Sequence, residues 1–84
     1  MRVKIITPQK KLFEAEAKEI VLPGDDGEFS VMDFHQSCMY SLRAGHVKVL
    51  TGTGKAEDDE KRFPIRIGVA RVDERGLTVM AEVM

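Results

Sequence analysis

The chain has 84 residues, 43% of them hydrophobic and 32% charged, with a formal net charge of −1. That length argues one domain, residues 1–84, with a small core, because so short a chain buries only about 60–65% of its unfolded surface. The composition excludes a disordered segment, and the near-neutral charge supplies no basic face for nucleic acid.

In chain order, "RVKIIT" alternates Arg2 and Lys4 with Val3 and Ile5, which predicts an amphipathic strand stopped by Pro8. The opening "MRVKIITP" lacks the long apolar region of a signal peptide. No apolar run approaches the roughly 20 residues of a bilayer span. "KKLFEAEAKEIVL" reads two ways. Phe13, Ala17, Ile20 and Val21 fall on one helical face, while Phe13, Ala15 and Ala17 also sit at period two. "VLPGDDGEFSV" sets Pro23, Gly24 and Gly27 around Asp25 and Asp26, a turn between two apolar runs. Beyond it Phe29 and Val31 alternate, then Met32, Phe34, Met39, Tyr40 and Leu42 follow irregularly.

"RAGHVKVLTGTG" carries a strand through Val47 and Val49 and ends in a Gly-rich turn. "KAEDDEKR" is a charge run without an apolar anchor, read as a solvated hairpin loop. "RFPIRIGVARV" alternates through Phe63, Ile65, Ile67 and Val69. Pro64 belongs at a strand start or edge, and the phase slip between Val69 and Val72 predicts a bulge near Gly68. "DERG" is a turn and "LTVMAEVM" the last strand. Short strands separated by regular turn signals predict an all-β fold, a small β-sandwich of short antiparallel strands.

Candidate chemistry is sparse. His35 and Cys38 form H-x-x-C, but with His46 the only other histidine there are too few ligands for a zinc site. The same pair imitates a Cys/His nucleophile system, although a free thiol usually packs as a small hydrophobe. The lone cysteine cannot staple a secreted scaffold and favours a reducing compartment. "TGTGK" lacks the phosphate-loop Gly where Val49 stands and the Ser or Thr where Ala56 stands. "DDGE" resembles a calcium loop, but its Asp spacing is wrong and Asp33 stands where the ligating Glu belongs. No catalytic residue, cofactor site or metal site is picked out.

The motifs together resemble one family, the epsilon subunit of the F-type ATP synthase (delta in mitochondria), in its N-terminal β-sandwich. The resemblance runs through Thr7-Pro8, "LFEAEAKEIVLPG", "GEFSVMDFHQSC", "LRAGHV" and Gly68 to "LTVMAE". It implies that residues 12–22 are strand rather than helix. Asp33, Ser37 and Ala44 replace usual prolines, Ser30 and Phe34 replace glycines, and Arg71 replaces a Glu. Such changes loosen or reshape a loop. Family members usually continue into a pair of C-terminal helices, whose activity is not assigned to this chain.

The resemblance further implies a non-enzymatic rotor subunit without cofactor. It would clamp the gamma subunit to the c ring, so that proton flow drives ATP synthesis. It would sit at the cytoplasmic face of the bacterial inner membrane, peripheral rather than inserted, and be a monomer when isolated. By position Glu28, Ser30, Met32 and Asp33 are placed toward the c ring, with His35, Met39 and Tyr40 toward gamma. The competing reading puts Phe29, Val31 and Met39 in the core, as period two suggests. Rival functions are a lipoyl or biotinyl carrier presenting Lys55, a small enzyme using Cys38 and His35, and a β-sandwich module with unrelated partners.

Overall fold

The computed structural model describes residues 1–32, 37–52 and 60–83. Eight strands account for most of them: β1 (Arg2–Ile6), β2 (Lys11–Glu16), β3 (Glu19–Gly24), β4 (Gly27–Met32), β5 (Cys38–Leu42), β6 (Gly45–Leu50), β7 (Glu60–Asp73) and β8 (Gly76–Val83). The ambiguous segment is strand, as the resemblance implied, in two pieces broken at Ala17 and Lys18. Helix propensity loses here because period two lets Ile20 and Leu22 face the core fully buried.

The strands run β2-β1-β8-β7-β5-β3-β4, with β6 also pairing β3 and β7. β5 and β6 therefore share one slot. β5 takes the C-terminal half of β7 from Gly68 to Val72, and β6 takes the N-terminal half from Glu60 to Ile65. The continuous ladder thus divides at β7 into two layers that close on each other, β2-β1-β8-β7-β5 against β7-β6-β3-β4. All pairings among the described residues are antiparallel except β1 with β8, which is parallel, and β7 at 14 residues is long rather than short.

Between the layers lies one core. Val3, Ile5, Leu77 and Val79 meet Ile20, Leu22, Val31, Val47 and Val49, all essentially sealed from solvent. The open flanks are plugged by aromatic rings. Phe13 on β2 meets Phe63 on β7 with ring centroids 5.2 Å apart, and Phe29 on β4 meets Tyr40 on β5 at 4.6 Å. Tilted pairs at such distances add about 0.5–1.5 kcal/mol each beyond their buried area. On β2, Glu14 accepts from Lys11 Nζ at 2.7 Å and from Arg2 Nε of β1 at 3.3 Å, and these bonds lower its carboxyl pKa. At the β7–β8 turn Gly76 has φ +139, and a Cβ there would stand 2.1 Å from the Arg2 carbonyl oxygen. Only glycine lets β1 approach β8 so closely.

The predicted bulge exists, but earlier than Gly68. Register slips between Ile65 and Ile67, so Arg66 is the extra residue, and its guanidinium pairs with Glu82 at 2.6 Å. The slip reverses the phase of the strand. Ile65 is fully buried, Ile67 is 54% exposed, and Ala70 and Val72 take over the inward positions. The simple alternation of Phe63, Ile65, Ile67 and Val69 is thus corrected: the first two face inward and the last two outward. Pro64, inside β7, faces His46 on β6, while β8 stops at Ile65 on the other side. Its position is a local edge, which suits a residue without an N–H.

Two measurements check this packing. Ile65→Ala is expected to lower unfolding free energy by about 2–5 kcal/mol in denaturant. Ile67→Ala is expected to change it by about 0.5 kcal/mol or less. Similar costs at both positions would contradict the phase reversal. Tyr40, the chain's single tyrosine, has its pKa raised from 10.0 by burial first and then by the Cys38 thiol. The neutral phenol is therefore the form the fold favours. Its contribution is complete below the unfolded pKa and is lost as pH rises through the higher folded value. Ultraviolet titration should give a midpoint above 10.0, moving back toward it in Cys38→Ala. A midpoint at or below 10.0 would contradict the assignment.

Candidate functional site

The turn of Asp25 and Asp26 joins β3 to β4, with Gly24 and Gly27 paired across its base. Gly27 has φ +127, a backbone open to glycine and strained for other residues. Both acids are exposed. Among the described residues β4 is an edge strand, paired with β3 alone. Its alternate residues Glu28, Ser30 and Met32 therefore line up on one outward face, all exposed, while Val31 is buried and Phe29 half-buried. Three of the residues placed toward a ring thus share one surface. Asp33 and His35 lie outside the described residues, as do Lys55 and most of the "TGTGK" segment.

Met39 and Tyr40 do not form one patch. Adjacent residues of a strand face opposite sides. Met39 is 62% exposed, which removes it from the core, while Tyr40 turns inward against Phe29. Cys38 is exposed.

The structure adds a surface that sequence reading missed. Across the outer face of β5, β7, β8 and β1, the registers align Ser41, Val69, Met80 and Ile6 in one row. Ile67 lies beside them. With Thr7, Leu42 and Ala81 these residues line an open groove of about 680 Å³ whose walls are mostly apolar. Met80 at 39% and Ile67 at 54% exposure are large apolar side chains facing solvent. Contiguous exposed apolar surface on a small domain marks an interaction face more often than scattered residues do. The phase slip between Val69 and Val72 was its only trace in the sequence. The Asp25–Asp26 turn borders the groove, since Asp25 reaches its rim.

The site residues described line two surfaces, an apolar groove and the outward face of β4. Among the described residues no group of three or more His, Cys, Asp or Glu side chains is placed to hold a metal ion.

Comparison with known proteins follows the same line. A family model described as "ATP synthase, Delta/Epsilon chain, beta-sandwich domain" matches residues 1–84. The ATP synthase epsilon chain of Hyphomonas neptunium is 34% identical over 82 residues, covering 98% of this chain and 58% of that protein. That of Campylobacter jejuni subsp. doylei is 34% identical over 80 residues, covering 95% and 59%. This chain therefore spans a little over half the length of those relatives. Among solved structures, the Tetrahymena thermophila mitochondrial ATP synthase central stalk and c ring contains a chain that superposes with TM-score 0.78 at 15% identity, over 96% of this chain and 62% of that one. The Euglena gracilis mitochondrial ATP synthase gives TM-score 0.76 at 21% identity, over 96% and 48%. These last two likenesses speak to the fold. Sandwich architecture and family match agree, and the chain belongs to the delta/epsilon family of ATP synthase subunits, as its β-sandwich domain.

Proposed function

We propose that the chain is a non-catalytic rotor subunit of a proton-translocating F-type ATP synthase, holding the gamma subunit to the c ring. The observation that carries the reading is the apolar row of Ile6, Val69 and Met80 on the outside of a stiff sandwich. A coupling element has to transmit torque without deforming. A closed core sealed on both flanks by aromatic pairs meets that need. The apolar row is assigned to gamma, with Met39 on the same outer layer. A buried apolar centre with a polar rim is the usual form of a lasting protein contact. Tyr40, half-buried against Phe29, supports this face from behind.

The outward face of β4 is assigned to the ring. Glu28, Ser30 and Met32 form a small mixed surface beside the acidic Asp25–Asp26 turn. Acids on a rigid turn suit a basic or polar loop and set orientation more than affinity. The working place is then the cytoplasmic face of the bacterial inner membrane, with contact through the ring rather than through lipid insertion.

The reading is tested by size-exclusion co-elution with the gamma subunit from the same genome. A one-to-one complex is expected, the free chain running as a monomer. Val69→Asp or Met80→Asp should weaken that complex by about 2 kcal/mol or more while the fold persists, as for a central interface residue. Separate elution of the unaltered chain, or an unaltered complex with both variants, contradicts the assignment. Glu28→Lys with Met32→Asp should leave gamma binding intact and reduce capture by reconstituted c rings. Loss of gamma binding instead would exchange the two faces.

A further inference from the structure

The outer face of the other layer has the opposite chemistry. Val47 and Val49 point into the core, so His46 and Lys48 of β6 point out. Arg62 of β7 stands directly opposite Lys48 in the register. Arg43 leaves β5 with its N–H donating to the Pro23 carbonyl at 2.9 Å, which fastens the β5–β6 turn against β3. With Glu28 these side chains line a groove of about 420 Å³.

Among the described residues three cationic side chains, Arg43, Lys48 and Arg62, share this groove with one carboxylate, Glu28. Glu28 is engaged by Lys48 at 3.3 Å, and Arg62 pairs with Glu60 at its outer side. Neither the Arg43 guanidinium nor the His46 ring has a side-chain hydrogen bond or ion pair among the described residues. Among the described residues the groove therefore holds a surplus of positive charge and unused N–H donors, presented by a turn and two paired strands.

We propose that this groove binds a phosphate-bearing ligand. The planar fork of Arg43 matches two phosphate oxygens, Lys48 and Arg62 supply charge from the opposite wall, and His46 adds a ring donor. A tetrahedral phosphate accepts from several directions at once. A planar carboxylate would leave part of this set unused. The phosphate has two possible sources, a soluble phosphate or an anionic lipid headgroup. The inference stands on this groove alone and does not depend on the rotor reading.

The test is NMR titration of the chain with inorganic phosphate, with chloride at equal ionic strength as the control. Saturable shifts are expected at the amides of Arg43, Ala44, Gly45 and His46, and none with chloride. Arg43→Gln should weaken binding about ten-fold, as for loss of a charge-assisted contact. Glu28→Gln, which releases Lys48, should tighten it. Each variant is first checked for an unchanged unfolding midpoint, and Arg62→Gln replaces Arg43→Gln if that variant does not fold. A parallel arm sediments the chain with phosphatidylcholine vesicles with and without phosphatidylglycerol. Capture only by the anionic vesicles, lost in Arg43→Gln, identifies a headgroup; saturation by inorganic phosphate without capture identifies a soluble ligand. Shifts reproduced by chloride, or tighter binding in Arg43→Gln, would overturn the proposal, as would the absence of both saturation and capture.

Discussion

The long strand β7 belongs to both layers of the sandwich, and the extra residue at Arg66 is what lets it do so. Before the slip its inward positions are Phe63 and Ile65; after it they are Ala70 and Val72. A strand that changes sheets must bend, and a bulge supplies the bend at the cost of one unpaired residue. The Arg66–Glu82 pair holds the bulged residue out over β8. The position of β5 and β6 in one shared slot follows from this strand, since each pairs with a different half of it.

The same slip decides the surface. With Ile65 inside, Ile67 and Val69 face solvent, and they meet Met80 and Ile6 across the ladder. Two outer faces of unlike chemistry result, one apolar and one rich in cations beside Glu28. The delta/epsilon family match, described as a beta-sandwich domain, agrees with this sandwich.

The aromatic pairs explain how so small a core stays closed. An 84-residue sandwich has open flanks where the edge strands of its two layers face each other. Phe13 with Phe63, and Phe29 with Tyr40, fill those flanks with large rings from opposite layers. Burial also keeps Tyr40 neutral to higher pH than a free phenol. Two of these rings, Phe29 and Tyr40, come from segments beside the candidate interaction residues. Packing on the inside thereby anchors the strands that present Met39, Glu28 and Met32 on the outside.

Local sequence by itself determined the strand content, the turns and most of the core. Period-two burial is a property of neighbouring residues, so Val3 with Ile5, and Val47 with Val49, were readable directly. It also located the Asp25–Asp26 turn and the alternation of Phe29 and Val31, while Glu28, Ser30 and Met32 were placed by the resemblance. Residues 12–22 were not decidable locally, because helix and strand periods both fitted, and resemblance resolved them. What only the tertiary structure decided was which residues meet across strands far apart in the chain. Ile6, Val69 and Met80 are isolated apolar residues until the β1–β8 and β7–β8 registers bring them into one row. Arg43, Lys48 and Arg62 are likewise scattered charges until β6 sets two of them side by side. Register depends on long-range pairing and on one bulge whose exact position leaves only a faint phase slip in the sequence, so both faces became visible only in the folded molecule.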